Sequence, residues 1–121
     1  MTAIKESSTI QENLKSVRLV CPITYVMERI GGYWKPVILC RLTRSDLRYS
    51  ELRRAVPAIT EKVLIQQLKQ LEADGLVVRE ARPVVPPYVT YRLTAAGQDL
   101  VPLFEAMAVW AAKDSSRLRE N

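Results

Sequence analysis

Histidine is absent from this chain of 121 residues, and glycine occurs only four times. Without an imidazole the chain cannot build Ser-His-Asp or Cys-His catalysis, nor a zinc site that uses histidine ligands. It also contains neither a GxGxxG sequence nor a Walker loop, so both common nucleotide sites would lack the cradle that holds the phosphates. We therefore expect a binding protein without enzymatic activity, cofactor or metal.

Long apolar runs and cysteines are scarce as well. No run of about 18 apolar residues occurs, and the N-terminus is largely polar. We therefore expect neither a membrane span nor a signal peptide. Cys21 and Cys40 are the only cysteines, too few for a disulfide scaffold and typical of the reducing cytoplasm, where we expect this protein. The length suits one domain with a modest core.

Basic residues outnumber acidic ones by 18 to 13, and the excess is largest in the middle of the chain. Residues 41–82 hold nine basic and six acidic side chains, whereas residues 83–121 hold four of each. A basic middle is typical of proteins that bind a polyanion, although many solvated surfaces show the same balance. Charge alone therefore favours nucleic acid without excluding plain solvation.

Periodicity and helix-breaking residues divide the chain into an N-terminal arm (residues 1–20), one folded domain (21–113) and a polar tail (114–121). In the arm, Leu14 and Val17 continue an i, i+4, i+7 pattern that allows a short amphipathic helix. A helix is predicted over residues 22–30 with Cys21 as its N-cap, because proline favours the first helical position and two glycines follow. Residues 33–42 predict a buried helix that would hold Cys40 as an inert core residue.

A helix-turn-helix pair is predicted after a polar connection over residues 43–48. Ser50 is a good N-cap for the first helix, whose apolar face would leave Arg53 and Arg54 outward. Pro57 ends this helix after barely two turns. Thr60 then caps the second helix, and Asp74-Gly75 closes it.

The second helix carries two opposite faces. Its apolar stripe consists of three leucines at helical spacing, Leu64, Leu68 and Leu71. The opposite face carries polar side chains rich in hydrogen-bond donors, Lys62, Gln66 and Lys69. Such a face suits the major groove of DNA, and a merely solvated helix face has the same composition.

Two β-rich runs, residues 76–82 and 88–94, follow the second helix and are separated by the tip PVVPP. A helix-turn-helix followed by a two-stranded ribbon is a winged helix, whose ribbon reaches the DNA backbone or minor groove. Because neighbouring residues of a strand face opposite sides, we expect at least one of Arg79, Arg82 and Arg92, but not all three, to meet phosphate. The prolines stiffen the protruding tip and discourage edge pairing.

The last predicted helix covers residues 95–113, follows Thr94 as its N-cap and is kinked at Pro102. It carries more apolar surface than a small monomer easily covers, which indicates a contact between two copies of the chain. The expected homodimer interface combines apolar side chains of the arm and of this helix: Leu14, Val17, Leu103, Phe104, Met107 and Trp110.

The order and spacing of these segments resemble the HxlR-type winged-helix transcriptional regulators of bacteria. The resemblance spans residues 21–112 and rests on motifs that are modest individually and specific together: CP at 21–22, IGGxW at 30–34, YSELRR at 49–54, ITxKxL at 59–64, LxxLExDGL at 68–76, VPPxVxYxLT at 85–94 and Gly97. The chain departs from the family pattern at Tyr88, where a basic residue commonly follows the paired prolines. It also departs at Ser45-Asp46, where a tighter turn is usual.

The resemblance implies a homodimer, built from the N- and C-terminal helices, that binds inverted-repeat operators in double-stranded DNA. Some members of the family sense oxidants, aldehydes or other small electrophiles through the cysteine that matches Cys21. A helix N-terminus lowers a thiol pKa, which favours such sensing, but a purely structural N-cap has the same sequence. Both interpretations of Cys21 stay open.

We therefore expect an α+β, mainly α, winged helix-turn-helix with a two-stranded wing and N- and C-terminal dimerisation helices. The expected function is sequence-specific binding of an inverted-repeat operator, with repression and activation both open. The alternative is a winged-helix protein-interaction module without specific DNA binding. The expected DNA contacts are Ser50, Arg53, Arg54, Thr60, Lys62, Gln66, Lys69, Arg82 and Arg92.

Overall fold

The computed structural model describes residues 21–120, which divide after Tyr33 into two compact units. The first unit contributes helix α1 (Pro22–Ile30). The second contributes, in chain order, α2 (Trp34–Leu42), β1 (Leu47–Arg48), α3 (Tyr49–Ala55), α4 (Glu61–Ala73), β2 (Val77–Arg82), β3 (Tyr88–Leu93), α5 (Ala95–Gln98) and α6 (Val101–Glu120). Among the described residues, no helix combines the length and the apolar character that crossing a bilayer requires.

Helix α1 begins and ends where the sequence predicts. Cys21 occupies the N-cap with extended backbone, and Pro22 fills the first helical position, where its missing N–H costs nothing. Gly31 leaves the helix in an extended conformation, and Gly32 follows with φ of +86°, which a residue with a side chain rarely adopts. The two glycines therefore end the helix by backbone geometry.

The core of the second unit lies where α2, α3 and α4 pack on one another and on the sheet. Its fully buried side chains come from all three helices and from the start of β2: Ile38, Leu39, Leu42, Leu52, Leu64, Leu68, Leu71 and Val77. The three leucines of α4 recur at helical spacing and are buried as predicted. Each buried leucine of this kind contributes about 1.5–3 kcal/mol through removal of apolar surface from water.

The sheet has three antiparallel strands in the order β1-β3-β2. The β2–β3 ribbon runs from the pair Val77 and Leu93 to the pair Arg82 and Tyr88, and residues 83–87 form its tip. This confirms the predicted wing. The prediction of a polar connection over residues 43–48 is wrong for its last two residues, because residues 47–48 form β1 and pair with β3. Leu47 lies opposite the buried Tyr91, which gives this short strand its apolar anchor.

The predicted single helix over residues 95–113 is instead two helices. Thr94 caps α5 through a bond from the Gly97 N–H to its Oγ1 at 3.1 Å, as expected, but α5 ends at Gln98. Pro102 is the second residue of α6, in a first turn that needs no N–H donor, so the chain breaks before the proline rather than kinking at it. Helix α6 also continues to Glu120, past the predicted end at Lys113 and through most of the segment expected as a tail.

Candidate nucleic-acid interface

The start of α3 differs from the expected cap. Arg48 is the N-cap residue, and its backbone N–H donates to Glu51 Oε1 at 2.8 Å. Ser50 is the second residue of the helix, so its predicted capping role is wrong, although its side chain is exposed. Glu51 accepts this bond from the third position of the helix, and its negative charge also suits the first turn.

The second helix of the pair begins as predicted. The Val63 N–H donates to Thr60 Oγ1 at 3.2 Å, which makes Thr60 the N-cap of α4. Ile59, just before the cap, is buried and fixes the path of the chain into the helix. Gly75 has φ of +75° and follows the last turn, so the chain reverses there toward β2.

Helix α4 presents a polar face opposite its buried leucines. Lys62, Gln66 and Lys69 are all exposed, and the first two lie within the first two turns. At about 100° per residue, Lys62 and Gln66 point almost directly away from the leucine stripe. Since α4 is anchored by its other face, these side chains are free to enter a groove of DNA.

The two arginines of α3 differ in their surroundings. Arg53 Nη1 forms an ion pair with Glu61 Oε2 at 3.6 Å, which links the last turn of α3 to the first residue of α4. Arg54 is exposed. An exposed pair of this kind adds little stability, so the pairing does not prevent Arg53 from meeting a phosphate.

One face of the sheet, which we call the outer sheet face, carries basic and polar side chains. Strand register places the following residues on it: Arg48, Val78, Glu80, Arg82, Tyr88, Thr90 and Arg92. Arg82 Nε donates to Thr90 Oγ1 at 3.3 Å, and Arg92 Nε lies 3.6 Å from Glu80 Oε2 in an exposed ion pair. Arg79 pairs with Tyr91 and therefore lies on the opposite face with the core residues. Strand alternation therefore places Arg82 and Arg92 on one face of the wing and Arg79 on the other, as expected.

Arg48 is a candidate that the sequence did not indicate. Its guanidinium carbon lies 3.7 Å from the centroid of the Tyr88 ring. Tyr88 is one of the two places where the chain departs from the family pattern, and this departure places an aromatic ring beneath an arginine from a neighbouring strand. The sequence could not indicate this contact, because it depends on the pairing of β1 with β3, which joins residues some forty positions apart.

Cys21 lies half-buried at the N-cap of α1. The Thr24 hydroxyl, followed by the backbone N–H groups of Thr24 and Ile23, lowers the pKa of the Cys21 thiol below its ordinary value, and slight desolvation opposes this effect. A thiolate stabilised in this way is more populated at neutral pH, and the partial exposure of Cys21 leaves it open to reagents.

Cys40 is exposed, so the expectation of an inert core cysteine is wrong. Helix α2 buries Ile38, Leu39 and Leu42, and Cys40 projects from its other side. There α2 and α6 leave an apolar cleft of about 640 Å³, the α2–α6 groove, lined by Pro36, Val37, Cys40, Arg41, Phe104, Met107, Ala108, Trp110 and Ala111. The sequence did not reveal this exposed side of α2, because the apolar residues that line the groove could equally have been buried in the core.

Three of the predicted dimer residues, Phe104, Met107 and Trp110, line the α2–α6 groove together. Trp110 is 63% exposed and Met107 49% exposed, unusual for such large apolar side chains. Leu103 is also partly exposed but does not line the groove. Leu14 and Val17 lie outside the described residues.

A comparison with known families decides the identity of this fold. The model of the HxlR-like helix-turn-helix family matches residues 29–118 of the chain. The chain belongs to this family. The match covers both helices of the pair, the whole sheet and most of α6, and it begins after Cys21.

Similar proteins agree with the HxlR-like assignment. The chain is 46% identical over 92 residues to the uncharacterized HTH-type transcriptional regulator YtcD of Bacillus subtilis, covering 76% of this chain and 73% of that one. A crystal structure of a putative HTH-type regulator ytcD superposes with a TM-score of 0.74 at 42% identity, covering 78% of this chain and 96% of the other. The redox regulator HypR in its reduced form superposes with a TM-score of 0.76 at 37% identity, covering 84% and 100%. This HxlR-like protein is a DNA-binding transcriptional regulator with a winged helix, and not an enzyme.

Proposed function

We propose that this protein binds an inverted-repeat operator as a homodimer, with α4 as the recognition helix. The observation that carries this proposal is the pair of faces of α4, in which Leu64, Leu68 and Leu71 are buried while Lys62 and Gln66 stay exposed. Lysine can donate to guanine or phosphate and glutamine can pair with adenine, so the exposed face has the chemistry of a base reader. The remaining predicted contacts, Ser50, Arg53, Arg54, Thr60, Lys69, Arg82 and Arg92, would meet the DNA backbone.

A second copy of the chain is the proposed occupant of the α2–α6 groove. Helix α6 spans twenty residues, about 30 Å, and none of its described side chains is buried. Most of the stability of a helix in a protein comes from tertiary packing of its apolar face. Covering the groove with the apolar side chains of a partner subunit would supply that packing. The dimer would then place two copies of α4 on successive half-sites about 34 Å apart.

DNA binding is tested with a duplex from the DNA flanking the gene of this protein, compared with a duplex in which one half of each inverted repeat is scrambled. We expect footprinted protection of two half-sites and binding that weakens steeply with salt. Binding to neither duplex would overturn the proposal and favour the protein-interaction module. Equal affinity for both would leave DNA binding without operator specificity.

Dimerisation is tested with Trp110→Asp, which places a charge in the groove, and with Val109→Asp as the matched control. Val109 is 57% exposed on the same helix but does not line the groove. Sedimentation should show a monomer for Trp110→Asp and a dimer for the control.

Cys40 provides a second readout in a Cys21→Ser background, because a covered groove protects its thiol from maleimide as protein concentration rises. A dimer in which Cys40 stays fully reactive would move the interface elsewhere.

We further propose thiol sensing at Cys21. The lowered pKa of its thiol, its partial exposure and its position at a helix N-terminus support a reactive thiolate. A relative described as a redox regulator, HypR, is structurally similar over 84% of this chain. The effector would be a small oxidant or electrophile that modifies the sulfur and so changes DNA affinity.

A further inference from the structure

The outer sheet face carries an arginine from each of the three strands, and the arginine of β1 also lies at the N-terminus of α3. Arg48 of β1 is paired with Thr90 of β3, and Arg82 of β2 is paired with Tyr88 of the same strand. Residues that are paired or two apart along a strand share a face, so Arg48, Arg82 and Tyr88 stand on one surface. Arg48 is also the residue immediately before α3, the first helix of the helix-turn-helix pair.

The arginines near this surface are not equally available to a ligand. Arg92 forms an ion pair with Glu80, and Arg53 forms one with Glu61. Arg82 uses its Nε to donate to Thr90. Within the described part of the chain, no carboxylate forms an ion pair with the guanidinium of Arg48, which is exposed and lies over the Tyr88 ring.

Stacking on an aromatic face has a specific consequence for an arginine. The attraction acts through the plane of the guanidinium, so the five N–H donors at its edge stay free. The ring also restricts a long side chain that would otherwise lose rotamer freedom when it binds. An arginine held over a tyrosine ring is therefore prepared for bidentate binding of a phosphate.

We propose that Arg48 contacts a DNA phosphate and that Tyr88 is the residue that positions it. This inference rests on the proposed DNA binding and adds to it a contact that lies between the recognition helix pair and the wing. The first helix of a helix-turn-helix crosses the DNA backbone, and Arg48 stands at its beginning. In the family pattern a basic residue commonly follows the paired prolines. Here Tyr88 occupies that position, and Arg48 of β1, which lies over its ring, supplies the positive charge instead.

The phosphate contact is tested with Arg48→Gln, using Arg44→Gln as a charge-matched control. Arg44 is exposed in the preceding loop and does not belong to the outer sheet face. For Arg48→Gln we expect roughly tenfold or greater loss of affinity on operator and non-specific duplex alike, and a salt slope smaller by about two for the dimer. The control should keep the wild-type slope. Wild-type slope and affinity in Arg48→Gln would overturn the contact, whereas a wild-type protein that binds no duplex would overturn the proposed function itself.

The positioning role is tested with Tyr88→Phe and Tyr88→Leu, each alone and combined with Arg48→Gln. The phenylalanine ring can still hold the guanidinium, so we expect Tyr88→Phe to bind DNA as the wild type does. Tyr88→Leu should weaken binding several-fold, and this loss should vanish in the Arg48→Gln background. Equal losses in both backgrounds would show that Tyr88 does not act through Arg48. Thermal melting of every variant separates these effects from a loss of folding.

Discussion

Gln66 lies almost opposite the buried leucines of α4, in the second turn of the helix. Its amide can donate and accept toward adenine, a pairing that a phosphate contact does not make. We expect Gln66→Ala to weaken operator binding by roughly 1–3 kcal/mol and to leave non-specific binding almost unchanged. Competition titrations with scrambled duplex measure both. Gln70→Ala, exposed one turn nearer the C-terminal end, is the control and should change neither.

Cys21 is the residue at which pH and oxidants should act. Because hydrogen bonds from Thr24 and Ile23 lower the pKa of the thiol, the thiolate should persist to lower pH than in an unperturbed cysteine. In a Cys40→Ser variant, the alkylation rate of Cys21 should therefore reach half its maximum below the pH at which a free model thiol does. A midpoint equal to that of the model thiol would leave Cys21 as a helix cap only.

Diamide or a quinone should release the wild-type protein from its operator and leave Cys21→Ser bound. The modified sulfur would lie where the arm joins α1, and two helices matched to half-sites about 34 Å apart tolerate little change in spacing. The comparison is made by gel shift before and after treatment. Cys40 is exposed, so the Cys40→Ser variant shows whether this second thiol contributes. Release of Cys21→Ser together with wild type would assign the response to another residue.

Helix α5 leaves no room for a side chain at Gly97. A Cβ at Gly97 would lie 2.5 Å from the Leu76 carbonyl oxygen and 3.1 Å from the Leu93 side chain. The carbonyl accepts the Thr94 N–H at 3.0 Å and cannot withdraw without breaking that bond. We expect Gly97→Ala to lower the free energy of unfolding by about 1–3 kcal/mol, measured by urea denaturation. Gln98→Ala, exposed on the same helix, should change it by less than about 0.5 kcal/mol.

The elements that the sequence predicted well are those with local signals. Helix α4 has a Thr60 cap, a leucine stripe and a closing glycine, all within sixteen residues, and each has the predicted place. Strand β1 has two residues and exists through pairing with β3, so no local pattern could indicate it. The break between α5 and α6 was missed because Pro102 predicts a disturbance without saying whether the helix bends or restarts.

Of the candidate interface, the sequence predicted the exposed face of α4 and the alternation of the wing arginines. It could not predict which polar side chains pair with one another. The Arg53–Glu61 and Arg92–Glu80 pairs and the Arg48–Tyr88 stack all join separate elements, so their partners depend on the tertiary fold. The exposure of Cys40 was hidden for the same reason, since α2 carries apolar residues on both of its faces.

For the molecule as a whole, binding to DNA should depend steeply on ionic strength. A dimer that meets about six to ten phosphates loses roughly 10³–10⁵ in affinity between about 50 and 200 mM salt. The net charge of +5 per chain is modest, so we expect the lower end of this range. Arg82→Ala should reduce the slope of log affinity against log salt by about one per wing. Fluorescence anisotropy across a salt series measures the slope, and an unchanged slope would remove Arg82 from the contacts.

If α6 packs only in the proposed dimer, the concentration of the protein becomes a regulatory variable. In the proposed dimer, packing of α6 is gained on association, so part of the folding free energy is available only when two chains meet. Dilution would then loosen α6 and separate the recognition helices in the same step. Operator occupancy should consequently rise with about the square of chain concentration below the dimer dissociation constant. A gene controlled in this way would respond sharply to small changes in synthesis or degradation of its regulator.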